Sequence, residues 1–156
     1  MVASLKADAP KSFTPALARI YRPLEPWAYA VLRIGTAAIL MPHGAQKLFG
    51  TAAVVAGRYL PPWGLPATPG WAMALGSLEL AGGALLGLGF LTRPVALLFV
   101  IELFYVTFLV PQNLGWAWVA KGAAEHHAIT LLLVCLAFLF RGGGRYSLDR
   151  LIGKEF

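Results

Sequence analysis

Charge is scarce in this chain. Asp, Glu, Lys and Arg together make up 13% of its 156 residues, hydrophobic residues make up 58%, and the mean hydropathy is +0.68. A soluble domain of this length has too little interior to hide so much apolar surface, so the bilayer is the expected solvent. Cysteine is nearly absent: Cys135 stands alone. One thiol forms no intramolecular disulfide and runs no dithiol exchange, which excludes a quinone-coupled disulfide-forming enzyme of similar size and leaves Cys135 as a buried structural residue. The chain also lacks an HExxH motif, the paired Glu-x-x-His motifs of di-iron bundles, and any dense basic run or base-stacking motif. Nucleic acid is therefore not an expected partner. The glycines of "ELAGGALLGLGF" sit inside an apolar run with no preceding strand, so helix packing explains them and a nucleotide site does not.

What is present is long apolar stretches. A membrane-spanning helix needs about 20 mostly apolar residues, and four such stretches occur, at 27–48, 71–92, 94–113 and 124–141. The expected fold is all-α: an integral membrane four-helix transmembrane bundle with a short N-terminal interfacial helix. Residues 1–26 form the N-terminal segment, 27–141 the transmembrane domain and 142–156 a C-terminal tail. The N-terminal segment has neither a central apolar region nor a small-residue cleavage site, so it reads as retained. Thr14 and Pro15 resemble an N-cap and first turn, Leu17, Ile20, Tyr21 and Leu24 recur at helical spacing, and Pro23 and Pro26 are expected to halt that helix.

Orientation follows from the Lys and Arg outside the spans. Lys6, Lys11, Arg19, Arg22, Arg93, Arg141, Arg145, Arg150 and Lys154 fall on one side, and Lys47, Arg58 and Lys121 on the other. The richer side is cytoplasmic. A bacterial-type inner membrane, crossed several times with both termini in the cytoplasm, is the expected location. This flanking pattern accounts for the net charge of +6.

Within the spans, polar residues align. Arg33, Thr36, Leu40, His43 and Lys47 lie within an arc of about 80° on the first helix. Ala72, Gly76, Glu79, Gly83 and Gly87 form a narrow stripe on the second, whose small residues permit close helix contact around one carboxylate. Glu102, Tyr105, Leu109 and Asn113 align on the third, and the fourth opens with "AAEHHAIT", where Glu125 and one of His126 and His127 can face inward. Counting about 1.5 Å per residue places Arg33 about 9 Å and Glu102 about 12 Å from the cytoplasmic ends of their spans, as candidate partners in a structural ion pair. The same counting gathers His43, Lys47, Glu79, Glu125 and His126 or His127 near the outer ends.

Ionisable residues inside a membrane are costly and point to function by default. A quinone ring needs hydrogen-bond partners for two oxygens and groups that exchange protons. His43, Lys47, His126 and His127 are candidate head-group ligands, and Glu79 and Glu125 a candidate proton relay. A metal is the competing reading of the same His and carboxylate set, with a bis-histidine haem through His43 a further one; no metal site is assigned. The first outer connection, "GTAAVVAGRYLPPWGLPATPGW", reads either as a lid or as a stiff aromatic loop, with Tyr59, Trp63 and Trp71 in the interface. Trp116 and Trp118 of the third connection fall in the same belt.

The order of motifs resembles the DoxX family of small four-helix membrane proteins. The resemblance rests on "LRIGTAAILMPHGAQKLFG", on "GLP", on "LELAGGALLGLGFLTRPVALL" and on "GGGRYSLDRL". Family-typical positions are Arg33, His43, Gly44, Lys47, Glu79, Gly83, Gly89 and Glu125. The resemblance implies a four-helix bundle associated with redox biology. Related DoxD and DoxA proteins form a thiosulfate to quinone oxidoreductase, and some DoxX proteins are linked to membrane oxidoreductase complexes. A thiosulfate-oxidising role is not expected here, since no soluble DoxA-like portion is fused to the chain. The leading expectation is a redox-associated inner-membrane protein, a quinone-interacting oxidoreductase subunit, with quinone as its one candidate cofactor. Its expected partners are the lipid bilayer, other membrane or redox proteins and a second copy of the chain. The alternatives are a non-catalytic accessory subunit of a larger electron-transfer complex and a small-solute or proton transporter, for which four helices offer little room and no inverted repeat.

Overall fold

In the computed structural model, residues 14–50, 52–58, 60–61, 64–109 and 123–154 are described. Among them every regular element is helical. Helix α1 runs Pro15–Ala45 and continues into a π-helical turn, Gln46–Gly50. A short α2 follows at Ala52–Arg58. Helix α3 occupies Pro69–Leu88 and α4 Thr92–Leu109, and these two are long and apolar enough to cross a membrane. Helix α5 is Ala123–Arg141, and α6, Leu148–Ile152, closes the chain. Trp116 and Trp118, and likewise Tyr59 and Trp63, lie outside the described residues.

Local chemistry sets most of these boundaries. Thr68 is extended and Pro69 opens α3, where the missing proline N–H would be unpaired in any case. Gly89, at φ +70°, ends α3 in the left-handed conformation that glycine adopts most easily. The expected break at Pro23 and Pro26 does not occur: both prolines sit inside the continuous α1, so the separate interfacial helix merges with the first long helix. An interior proline costs a helix about 3 kcal/mol, and residues beside the two prolines tie this part of α1 to the end of α5 and the segment after it. Glu25 pairs with Arg141 at 2.5 Å, Trp27 stacks against Tyr146 and the Tyr29 hydroxyl donates to the Gly142 carbonyl at 2.7 Å.

The interior has two parts. The main core joins Tyr29 and Leu40 of α1 to Leu86 of α3, Phe99 and Leu103 of α4 and Leu132, Cys135 and Phe138 of α5. Cys135 is fully enclosed there, as a small structural side chain. A smaller cluster packs Val55 and Ala56 of α2 and Leu60 onto Ala72 of α3. The first long connection is therefore folded over the end of α3, with a helix that the Pro-rich sequence does not announce.

Helices α1 and α3 meet backbone to backbone. A Cβ added at Gly44 would stand 2.6 Å from the Gly76 carbonyl oxygen, and one at Gly76 would stand 2.8 Å from the Lys47 Cβ. Gly83 and Gly87 continue the contact against Met41 and Ala37. The small-residue stripe thus has the role that membrane helix packing gives such residues. Gly35 lies on the same helix with nothing within 4 Å of its would-be Cβ. Gly44→Ala is expected to destabilise the protein by about 1–3 kcal/mol through overpacking, whereas Gly35→Ala gains up to about 1 kcal/mol of helix propensity. Thermal unfolding of the two variants in one detergent checks this, and equal shifts would remove the close α1–α3 contact.

At the opposite end the closing segment folds back under the bundle. Arg33, 2% exposed, donates to the carbonyls of Gly143 and of Tyr146, the latter at 2.6 Å, and to that of Gly87 at 3.4 Å. Asp149 accepts from the backbone N–H groups of Leu91 at 2.8 Å and Thr92 at 2.9 Å, capping the start of α4. Leu91 has φ +51°, which costs a non-glycine residue about 1 kcal/mol or more, and the Asp149 cap holds it. Residues expected to trail as a tail therefore form a latch across α1, α3 and α4.

The expected Arg33–Glu102 pair is not formed. The carbonyls of the glycine-rich latch meet Arg33 level with the first turn of α4. Glu102 lies ten residues further along that helix, about 15 Å away along its axis.

Candidate functional site

The site is built where three helices depart from regular geometry. Lys47 lies in the π-helical turn that ends α1, Glu79 in the π-helical turn Leu78–Gly82 of α3, and Glu102 three residues before the π-helical turn Tyr105–Leu109 of α4. Such turns insert one extra residue into the helical ladder, rotate the following side chains and are frequent at functional sites. Here they surround one cavity of about 270 Å³, lined by His43, Lys47, Glu79, Glu102 and His127 among apolar residues of α1, α4 and α5.

The Lys47 ammonium is paired with Oε2 of Glu79, and both side chains are largely buried. The Gly44–Gly76 contact sets this pair, because it brings the α1 and α3 backbones together one turn away from each partner. His43 Nδ1 lies 2.8 Å from the Ile39 carbonyl. A carbonyl only accepts, so Nδ1 carries the hydrogen, and the tautomer this selects for a neutral ring has Nε2 as its acceptor. Oε2 of Glu102 is buried with no hydrogen-bond partner. A buried polar atom left so is costly and needs a physical account.

Of the residues expected here, the structure brings together His43, Lys47, Glu79 and His127. Glu125 and His126 lie on the first turn of α5, and their side chains fall outside the described residues. Glu102 joins the cavity instead of serving as the partner of Arg33. Its signal was present in the sequence as a carboxylate on the inner face of the third span; counting depth from span ends assigned it to the wrong layer. No group of three or more His, Cys, Asp or Glu side chains arranged to hold a metal occurs among the described residues. The cavity thus offers a histidine acceptor nitrogen, an ammonium with donors beyond its carboxylate partner and a carboxyl beside Glu79 with one oxygen unpartnered. That set suits a small ring with polar oxygens at its edges.

Neither the curated proteins nor the solved structures contain a match to this chain. The family model described as DoxX matches residues 28–112, from the lower part of α1 through α3 and α4, and so includes His43, Lys47, Glu79 and Glu102 while ending before α5. Covering more than half of the chain and agreeing with its apolar helices, that match makes this a membrane protein of the DoxX type: the chain belongs to the DoxX family.

Proposed function

We propose that the chain spans the inner membrane four times, with both termini in the cytoplasm, and binds the ring of a quinone or quinol in the cavity between α1, α3, α4 and α5. The observation that carries this reading is the convergence of His43, Lys47, Glu79, Glu102 and His127 on one cavity of about 270 Å³. Ligand sites commonly begin near this size, with a few convergent polar groups in a mostly apolar wall. In the reduced ligand, one hydroxyl donates to Nε2 of His43. At the other edge, Lys47 donates to the second oxygen, and Glu102 accepts from a hydroxyl or, when protonated, donates to a carbonyl. Glu79 holds Lys47 in place and Glu102 exchanges the proton. Electrons pass to or from a redox partner in the membrane, which makes the chain the quinone-binding subunit of an oxidoreductase assembly.

Gentle purification from the native membrane, followed by mass spectrometry of extracted small molecules, tests the reading. Wild type is expected to retain a quinone, and His43→Ala to retain at least about tenfold less, the loss of roughly one hydrogen bond in a desolvated site. Because the His43 ring is exposed at the cavity, the variant should keep the wild-type helical content. Equal retention by both proteins would reject the site. A large co-purifying complex with no bound quinone in wild type would make the chain an accessory subunit.

A further inference from the structure

A second cavity, of about 290 Å³, lies on the other side of Glu102. Its wall is formed by Leu65, Trp71, Leu75, Leu98, Ile101 and Tyr105, between α3 and α4, and it shares Glu102 and Val106 with the polar cavity. The roof is fixed: the Leu65 N–H bonds to the Leu60 carbonyl at 3.0 Å, and Leu60 is fully buried in the cluster that anchors α2 to α3. Trp71, Leu98 and Ile101 are exposed at the mouth, on the two helices that are long and apolar enough to cross a membrane. Apart from Glu102, the Tyr105 hydroxyl and the indole N–H of Trp71 at the mouth, the side chains lining this cleft are aliphatic.

We propose that this cleft holds the hydrocarbon chain of the same ligand whose ring occupies the polar cavity, with Glu102 at the passage between them. The inference rests on the quinone reading above and narrows its substrate class to quinones bearing a long apolar chain, entering sideways from the lipid between α3 and α4. Three observations converge on it. The two cavities share a wall residue whose carboxyl oxygen is buried and unpartnered, so a ligand polar group is placed there and not in the cleft. The cleft is apolar beyond that point. Its mouth opens on the surface presented to hydrocarbon, so a chain moves from lipid to protein without crossing water.

Photolabelling of the full-length protein in phosphatidylcholine nanodiscs tests this. Two benzoquinone probes are used, one with a diazirine midway along an alkyl chain and one with a diazirine on the ring; adducts are mapped by mass spectrometry with and without excess unlabelled quinone of the same chain length. The chain probe is expected to give adducts within residues 71–78 and 98–106 that the competitor removes. Leu98→Trp, which fills the cleft, is expected to lower those adducts about tenfold, as overpacking costs of about 1–3 kcal/mol imply. Competed ring-probe adducts should persist in that variant, which shows that it is folded. Chain-probe adducts that resist competition and spread equally to other outward-facing side chains such as Leu133 and Phe140 would overturn the inference, marking the cleft as ordinary lipid-facing surface while the ring site stands. A ring probe that gives no competed adduct would defeat the quinone reading, and this inference with it.

Discussion

Replacing Arg33 by leucine is expected to open the base of the bundle and lower stability by about 3–5 kcal/mol, because each hydrogen bond from a charged donor contributes about 1.5–3 kcal/mol and two carbonyls in the latch would lose one. Those carbonyls belong to Gly143 and Tyr146, in the segment that Tyr29, Trp27 and Asp149 also hold to the rest of the molecule. Its release also threatens the Asp149 cap on α4 and the left-handed Leu91 beside it. Arg33→Lys should rescue little. A single ammonium cannot span acceptors that a planar, forked guanidinium reaches together. Thermal unfolding in detergent gives the stability loss, and limited trypsin digestion reports the latch directly through cleavage at Arg145 and Arg150. Unchanged melting and unchanged digestion in Arg33→Leu would mean that Asp149, Tyr29 and Trp27 hold the latch without Arg33.

How much of this was legible in the sequence depended on which forces set each feature. The long helices were, because apolar length and the small-residue stripe Gly76, Gly83 and Gly87 encode both the helix and its contact face. The cluster of His43, Lys47, Glu79 and His127 was also legible, since helical spacing fixes which side of a helix a polar group occupies. The partner of Arg33 was not. Pairing it with Glu102 assumed that a buried cation seeks a carboxylate, whereas the glycine-rich run from Gly142 to Gly144 supplies bare carbonyls at the right level. A fold-back of this kind is a tertiary event with no periodic signature. The same holds for Asp149, which reads as one charge in a tail until the corner between α3 and α4 is seen to need a cap.

The π-helical turns were equally hidden, and they matter most for the site. Each shifts the register of its helix where a polar residue must turn inward, so regular 100° steps become unreliable beyond them. Proline was misleading in the opposite sense. Pro23, Pro26 and Pro42 all lie within α1, where the sequence suggested a stop at the first two. Membrane helices tolerate such residues when neighbouring groups re-satisfy the freed backbone, and the contacts of Glu25, Trp27 and Tyr29 keep this helix in place.

The second large effect is expected at the Lys47–Glu79 pair, where stability and ligand binding should part company. Both side chains are largely buried, and removing one partner strands the other charge. Lys47→Met or Glu79→Leu alone is therefore expected to cost about 3–5 kcal/mol. The double variant Lys47→Met/Glu79→Leu removes both charges together and fills much of their volume with apolar atoms, so it should recover most of that loss, as buried ion pairs replaced by packed hydrophobic residues do. Non-additivity of this kind is the signature of directly coupled residues. Quinone retention should nonetheless stay at background in the double variant, because the cavity has lost the ammonium that meets the second ring oxygen. Unfolding midpoints and extracted quinone, measured on the same four proteins, separate the two properties. A double variant that regains both stability and quinone would reduce the pair to a device for aligning α1 with α3, and would leave ligand binding to His43, Glu102 and His127. One that regains stability without quinone places the ion pair inside the binding site, where the cost of burying two charges is offset by the ring they hold.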